Sequence, residues 1–205
     1  MKKIFIINGA QAFAHSGAQF NNTILDWDKS FFAPENGFEL QTTNVDEPYD
    51  LATEVAKYVW ADVIIYHTPI WWFSLPHALK AYIDKVFTQG HRTGMYYNDG
   101  RNSENPKINY GKGGSLHGRN YMLTTTWNAP ETAFTLEGEF FEQKSVDEGV
   151  MFGFHKMNAF IGLKPLDSFH FHDVMKKGSE IETYRAGYIE HLESVFKPTL
   201  VENLQ

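Results

Sequence analysis

The sequence predicts a doubly wound α/β fold, in which helices cover both faces of a parallel sheet. Two observations carry this prediction. Residues 4–7 and 63–66 are apolar at every position, which is typical of parallel strands buried on both faces. Apolar residues elsewhere recur at helical spacing, so that strands and helices alternate along the chain. At 205 residues, the chain is predicted to form a single domain over residues 1–205.

Three further strands are predicted. Residues 39–43 are half polar and are expected near an edge of the sheet. Residues 120–126 form the fourth strand, and a fifth lies within residues 167–171.

Four helices follow from the periodicity. Asp50 is a plausible N-cap for a helix that ends at Trp60, and Pro76 occupies the first turn of the next. A third helix is predicted over residues 147–161 and a last one over residues 179–196.

Two long connections interrupt this alternation. Residues 90–118 are polar and rich in Gly and Asn, and residues 128–148 carry Phe134, Phe140 and Phe141. Loops of this length usually have a function, so we expect them to cover a site or to form a contact.

Composition and charge exclude several classes of protein. A net charge of −7 disfavours general attraction to nucleic acid or to an anionic membrane. The absence of Cys removes disulfides, thiolate metal sites and thiol catalysis, and it agrees with a cytoplasmic location. The first apolar run is too short for a signal peptide, and no stretch approaches the roughly 20 residues of a membrane span. His170 and His172 share a strand face but have no third ligand, so no metal site is predicted.

Three segments are expected to meet at one edge of the sheet, because ligands of open parallel sheets bind beyond the carboxyl ends of the strands. The first, residues 8–21, follows a strand and precedes a probable helix, so its backbone N–H groups can hold an anion. His15, Ser16 and Asn21 add side-chain donors. The segment lacks the Walker and Gly-x-Gly-x-x-Gly patterns, and a plain strand–helix connection remains the alternative interpretation.

The second segment is aromatic. Trp71, Trp72 and Phe73 stand between Pro69 and Pro76, directly after the third strand. A rigid aromatic turn at this edge suits a flat ring such as the isoalloxazine of a flavin. Packing of the two Trp residues in a core or at an interface is the alternative.

The third segment, residues 123–130, is rich in hydroxyl and amide groups. These groups are suited to the polar edge of a flavin. A Thr-rich strand that runs into a proline turn is the common alternative.

Three longer motifs connect these segments: Ile-Ile-Asn-Gly-Ala…Phe-Ala-His-Ser over residues 6–16, Trp-Ala-Asp-Val leading to Pro-Ile-Trp-Trp over residues 60–72, and Lys-Ala-Tyr-Ile-Asp-Lys-Val-Phe-Thr-Gln-Gly-His over residues 80–91. With them, nearly the whole chain resembles the flavodoxin-like NAD(P)H:quinone oxidoreductases, and among them the bacterial modulators of drug activity B.

This resemblance implies a five-stranded sheet of order 2-1-3-4-5 and a homodimer with active sites near the interface. It implies FAD as the cofactor, NADPH or NADH as the electron donor and a quinone as the acceptor. The preference for NADPH rests on the resemblance alone. The implied cofactor-binding residues are His15, Ser16, Gln19, Phe20, Asn21 and Thr23 on the pyrophosphate side, Pro69, Ile70, Trp71, Trp72, Phe73, Thr126, Trp127, Asn128 and Ala129 around the isoalloxazine, and Tyr110 elsewhere in the site.

The expected reaction is a two-electron ping-pong reduction of quinones that protects against redox cycling. Trp127 and Asn128 are the candidate catalytic residues, because negative charge grows at the N1/O2 edge of a flavin on reduction. The chain departs from the mammalian members, which carry a Tyr and a His after the third segment. Phe134 and Phe140 are the nearest residues here, and neither can titrate.

Three alternatives stay open. An electron-transfer flavodoxin would carry FMN and serve a redox protein, and an azo- or nitroreductase shares the fold. A non-enzymatic flavin-binding regulatory protein is the third.

Overall fold

One sheet organises the structure, a computed structural model that describes residues 1–14, 16–176 and 180–202, with the side chains of its last helix as far as Phe196. Its strands are β1 Lys2–Asn8, β2 Phe38–Asn44, β3 Val63–Pro69, β4 Asn120–Thr126, β5 Lys164–Pro165 and β6 Phe169–Phe171. All pairings are parallel, and the order is β2-β1-β3-β4-β5, with β6 also paired to β4. The predicted doubly wound order is therefore confirmed.

Two short segments share the fifth position of the sheet. Lys164 pairs with Asn120, whereas Phe169 pairs with Thr124, so the outer strand has one residue more than β4 between these pairs. An extra residue of this kind bends an edge strand. The sequence predicted β6 but not β5, which is only two residues long.

Helices cover both faces, as predicted. They are α1 Gln19–Phe31, α2 Leu51–Trp60, α3 His77–Gln89, α4 Thr132–Thr135, α5 Phe152–Phe160 and α6 Ile181–Glu202. Buried residues of α1 and α6 pack with Ile4 and Ile6 on one face of the sheet. Those of α2, α3 and α5 pack with Phe5 and Ile7 on the other. This division follows from the alternation of side chains along a strand.

Helix boundaries differ from the prediction at α3, α5 and α6. The last of these runs to Glu202, beyond the predicted end at residue 196, and its predicted first residue, 179, lies outside the described residues. Asp50 is confirmed as the N-cap of α2, since its carboxylate accepts from the Thr53 N–H at 2.9 Å. Pro76 caps α3 from outside the helix, which begins one residue later than predicted. The helix predicted from residue 147 begins only at Phe152. The Met151 N–H donates to the Val146 carbonyl, five residues back instead of the four of an α-helix. Residues 146–151 therefore do not continue the hydrogen-bond pattern of α5.

A polar row ends the apolar core at the carboxyl edge of the sheet. Asn8, His67 and Thr124 lie side by side on β1, β3 and β4, and all three are buried. The Asn8 amide donates to Asn22 at 2.7 Å and to Asn44 at 3.1 Å. The strand ends therefore present polar groups where ligands of such sheets bind.

The two long connections lie at opposite edges of the sheet. Residues 90–118 follow the end of α3 and precede β4, so they lie at the amino ends of the strands. Arg119, just after them, donates to the Tyr58 carbonyl at 3.2 Å and the Ala61 carbonyl at 3.0 Å at the end of α2. Residues 128–148 follow β4 and lie at the carboxyl edge, and they contain α4.

Candidate functional site

The three predicted segments meet at the carboxyl edge of the sheet. The Gly9 N–H donates to the His67 carbonyl at 2.7 Å, which joins the first segment to β3. A side chain at Gly9 would collide with Leu79, so only glycine lets the chain cross α3 this closely. The Ile70 N–H donates to the Thr126 carbonyl at 3.0 Å and joins the second segment to the third.

The amino end of α1 offers an open set of backbone donors. Its N-cap, Ala18, has φ 58° and provides no side-chain hydrogen bond. The N–H groups of residues 17–21 donate to no acceptor within the described part of the chain. N–H groups without an acceptor among the described residues, at the positive end of a 13-residue helix, are suited to an anion.

Asn21 adds a side-chain donor to this end of α1. It is 4% exposed, and its Oδ1 accepts from the Thr126 hydroxyl at 3.2 Å. Its Nδ2 is buried and lacks a hydrogen-bond partner. Buried amide groups are normally satisfied, so this atom indicates a missing acceptor.

The other predicted residues of the first segment differ in orientation. Ser16 is half-buried and closes a tight turn with Phe13, and its hydroxyl is unpaired among the described residues. Gln19 is exposed, and the Thr23 hydroxyl donates to its carbonyl at 3.0 Å. The Phe20 ring packs against Trp27, Phe171 and Tyr184, and its role in cofactor binding stays a prediction. His15 lies outside the described residues.

The second segment is a strained aromatic turn, which we define as residues 71–74. Trp71 and Ser74 exchange backbone hydrogen bonds at 3.0 and 3.1 Å. Trp72 and Phe73 between them have φ 49° and 62°, a region that side-chain-bearing residues rarely adopt. Trp72 is 94% exposed, and Phe73 is 52% exposed. An exposed turn that keeps two strained aromatic residues points to a function.

Pro69 and Ile70 lead into this turn at the end of β3 and are half-buried. The Trp71 ring lies 5.4 Å from the Phe13 ring at an angle of 33°. This contact joins the aromatic turn to the first segment.

The third segment provides one free amide. Asn128 is exposed and forms no side-chain hydrogen bond within the described residues. Ala129 follows it, and its carbonyl accepts from the Asp173 N–H at 3.2 Å. Thr126 faces Asn21, as described above.

Trp127, in contrast, faces the interior. It is 3% exposed, and its indole N–H donates to the Thr125 hydroxyl at 2.7 Å. Its backbone N–H donates to the Phe171 carbonyl at 2.8 Å. Both donors of Trp127 are thus used inside the protein. The Trp127 ring also packs against Phe134, and its contact with a flavin stays a prediction.

Aromatic residues of the second long connection pack behind the aromatic turn. Phe134 and Phe141 stack at 3.9 Å, and Phe140 stacks on Phe73 at 5.4 Å. Phe134 and Phe140, the residues nearest to the positions of the mammalian Tyr and His, therefore lie in different environments. Phe134 is buried, whereas Phe140 is 70% exposed beside the turn.

Tyr110 lies away from this edge. Its ring is 5.9 Å from Phe160, at the end of α5, and the Arg101 guanidinium lies 5.4 Å from it. The end of α5 is at the amino edge of the sheet, opposite the three segments. The predicted place of Tyr110 in a cofactor site therefore stays a prediction.

A buried polar group that the sequence does not predict lies beneath the site. His67 Nε2 bonds to Asp28, whose other carboxylate oxygen accepts from the Tyr188 hydroxyl at 2.9 Å. His67 and Asp28 are 0% exposed, and the His67 Nδ1 has no hydrogen-bond partner among the described residues. Asp28 and Tyr188 lie on α1 and α6, so no local sequence pattern connects them.

No set of three or more metal-ligating side chains that could hold an ion occurs within residues 1–14, 16–176 and 180–202. Over the same residues, every helix is too short or too polar to cross a membrane.

Comparison with known proteins gives consistent matches. The family model described as flavodoxin-like fold matches residues 2–195. An uncharacterised protein from Schizosaccharomyces pombe is 48% identical over 95% of this chain and 97% of its own. The NADPH:quinone oxidoreductase MdaB from Haemophilus influenzae is 44% identical over 94% of this chain and 98% of its own.

Solved structures agree on the fold. A putative quinone reductase from Klebsiella pneumoniae has a TM-score of 0.75 at 20% identity, covering 96% of this chain and 85% of its own. The general stress protein 14 from Treponema denticola, solved with FMN, has a TM-score of 0.64 at 20% identity, covering 95% of this chain and 99% of its own.

Proposed function

Because this chain belongs to the family with the flavodoxin-like fold, we propose that it is a flavin-dependent NAD(P)H:quinone oxidoreductase. The 44% identity to a protein named NADPH:quinone oxidoreductase, over nearly the full length of both chains, supports this activity. One structural observation carries the proposal. An open anion site at α1 and an exposed, strained aromatic turn lie at the same edge of the sheet.

The residues at this edge fit a flavin nucleotide. The free N–H groups of residues 17–21 and the unpaired Asn21 Nδ2 would hold its phosphates. The Ser16 hydroxyl adds a further donor. The chain has a net charge of −7, so local donors and not the overall field must hold an anion here. We propose FAD, as in the family that the sequence resembles.

A bound flavin supplies the two-electron chemistry between NAD(P)H and the acceptor. The chain's own contribution is placement. Trp72 and Phe73 present exposed ring surface for a planar ring, and Phe140 extends it. The free Asn128 amide is the candidate donor toward negative charge that develops at this edge. The Trp127 side chain is turned inward, so its catalytic role stays a prediction and the proposal rests on Asn128.

We further propose a ping-pong order, because donor and acceptor would use the same ring surface in turn. A homodimer belongs to the same proposal. Tyr110 is at the opposite edge of its own chain, so it would reach a flavin only in a second copy.

The decisive test is the absorption spectrum of the purified protein and the mass of the released cofactor. We expect a yellow protein that releases FAD, is bleached by anaerobic NADPH and regains its colour with a quinone. Initial-rate lines for the two substrates should be parallel. Intersecting lines would contradict the ping-pong order, and release of FMN would contradict FAD as the cofactor.

A colourless protein that takes up neither flavin would overturn the function itself. Faster turnover of an azo dye or a nitroaromatic than of any quinone would favour the reductase alternatives.

A further inference from the structure

A chain of four hydrogen bonds and one longer contact between His170 and Asp147, which we call the Asp147 network, ends at the Trp127 indole. Its members are Trp127, Thr125, His170, Asp147, His155 and Tyr121. The Thr125 hydroxyl lies 2.7 Å from His170 Nδ1, and His170 Nε2 lies 3.5 Å from Asp147. On the far side, His155 Nε2 lies 2.8 Å from Asp147, and His155 Nδ1 lies 2.6 Å from the Tyr121 hydroxyl.

An indole N–H can only donate, so the Thr125 oxygen accepts from Trp127. The bond between the Thr125 hydroxyl and His170 Nδ1 can run in either direction, because the hydroxyl oxygen has a second lone pair and the imidazole has two tautomers. Asp147 as a carboxylate accepts from both imidazoles. Although burial raises the pKa of Asp147, hydrogen bonds from His155 and His170 outweigh it and hold this pKa well below its usual range.

The network joins parts of the chain that are distant in sequence. Thr125 is on β4, His170 on β6, His155 on α5, and Asp147 lies in the connection before α5. Thr125 is fully buried, whereas the side chains of His155 and His170 are 19% and 17% exposed. Polar networks that are fully satisfied inside a protein rigidify the segments that they connect.

Ring contacts of Trp127 connect the Asp147 network to the candidate site. Its ring contacts Phe134 at 5.0 Å and Phe141 at 6.0 Å. Phe141 in turn contacts Phe73 of the aromatic turn at 5.8 Å. The next residue after Trp127 is Asn128, the free amide of the site.

We propose that the Asp147 network positions Trp127 and, through it, the ring surface at Phe73 and the Asn128 amide, and thereby sets how tightly the site holds its electron acceptor. Its members are positioning residues, because none of them faces the site. The claim that the network sets the affinity for the electron acceptor rests on the proposed function. The claim that it fixes the position of the Trp127 indole does not.

Thr125 gives the sharpest test, since two variants separate its hydroxyl from its volume. Thr125→Val keeps the shape but removes the hydroxyl, and Thr125→Ser keeps the hydroxyl. The first readout is hydrogen exchange of the Trp127 indole N–H by NMR on apoprotein, with the signal assigned by its loss in Trp127→Phe. We expect about tenfold faster exchange in Thr125→Val and a rate close to wild type in Thr125→Ser.

The second readout is steady-state kinetics with a soluble benzoquinone and NADPH on the flavin-loaded enzyme. Thr125→Val should raise the KM for the quinone about fivefold with kcat within about twofold, because acceptor binding and not a reacting group is disturbed. Thr125→Ser should restore the wild-type KM. Flavin content should be equal in all variants.

Variants further along the network test its reach and replace Thr125→Val should that variant fail to fold. His170→Ala should speed indole exchange more than Asp147→Ala, because the His170–Asp147 contact of 3.5 Å is the longest in the network. His191→Ala is the matched control. It removes a half-buried imidazole that contacts Phe169 of β6 but lies outside the network.

Unchanged indole exchange in both Thr125→Val and His170→Ala would overturn the positioning role. Faster exchange with an unchanged KM would overturn the link to the acceptor. If wild type bound no flavin and reduced no quinone, the proposed function would fail, and the exchange rates would still decide whether the network holds Trp127.

Discussion

Single residues at the carboxyl edge of the sheet combine strain with exposure. Trp72 has φ 49° and 94% of its surface in solvent, so packing within its own chain does not compensate for the strain. A residue with a Cβ costs about 1 kcal/mol in the left-handed region, a cost that glycine avoids. The presence of an exposed Trp at a strained position therefore points to a ligand.

Truncation of Trp72 to two different residues measures this strain. Trp72→Gly and Trp72→Ala lose the same exposed ring, but only glycine relieves the backbone. We expect Trp72→Gly to unfold with about 1 kcal/mol more free energy than Trp72→Ala in denaturant titrations. Both should lose flavin affinity equally. Equal stability of the two variants would show that the turn relaxes without strain.

Asn21 can be tested by a change of one atom. Asn21→Asp keeps the oxygen that accepts from Thr126 and replaces the unpaired Nδ2 with a charged oxygen. A negative charge in the first turn of α1 is favourable to the helix, whereas burial of that charge is costly, so the stability of the apoprotein is measured beside the affinity. The same charge should repel a phosphate and lower flavin affinity at least about tenfold.

Isothermal titration of apoprotein with FAD at two salt concentrations measures this loss. Asn22→Asp is the control, because it adds the same charge one residue further along on an exposed side chain. A loss as large in Asn22→Asp would place the phosphates elsewhere.

At the scale of elements, the sequence predicted those whose pattern is local. The strands β1 and β3 and the helix α3 lie as predicted, because the apolar pattern of each segment shows which of its residues are buried. In α3 these are Leu79, Tyr82, Ile83 and Val86. β5 was missed, since two residues carry no periodicity. The start of α5 was misplaced because backbone bonds five residues apart leave no trace in the pattern of side chains.

The candidate site divides in the same way. The meeting of three strand ends follows from parallel topology and was predictable. The inward turn of Trp127 depends on the Thr125 hydroxyl and the Phe134 ring. The distance of Tyr110 from the site depends on where a long loop packs. No local motif encodes either relation, and the two partners of Asp147, His155 and His170, lie on different elements.

The connection before α5 should govern acid stability through Asp147. The pKa of this carboxyl is lower in the folded than in the unfolded chain, despite the opposing effect of burial, because His155 and His170 donate to it. Its stabilising contribution is therefore present above the unfolded value of about 3.9 and is lost as the pH falls through the folded pKa.

Denaturant titrations from pH 7 to pH 3 test this. The stability difference between wild type and Asp147→Asn should be largest near neutral pH and should shrink below about pH 4. Asp26→Asn, which removes an exposed ion pair with Lys29, should show only a small difference at any pH. A difference for Asp147 that stays constant down to pH 3 would contradict the linkage.

At the scale of the whole molecule, the two edges of the sheet present complementary features. The carboxyl edge carries the free donors and the exposed rings of the candidate site. The amino edge carries Tyr97 and Tyr110, which are 61% and 70% exposed. If a homodimer brings the amino-edge loop of one copy to the carboxyl edge of the other, each site draws on both chains. Symmetry then gives two equal sites per dimer.

This arrangement makes a prediction that a monomeric site cannot satisfy. Tyr110→Ala would leave its own carboxyl edge intact, whereas Asn21→Asp would leave its own Tyr110 intact. A mixed dimer of the two variants then contains one site with both defects and one with neither. At an FAD concentration that loads wild type but not Asn21→Asp, random exchange of subunits should therefore restore about a quarter of the wild-type quinone turnover from two preparations that are each strongly impaired. The mixture is refolded together from denaturant, supplied with FAD and assayed against each variant refolded alone. Recovery that is absent, although light scattering shows dimers, would place Tyr110 outside the site in either copy.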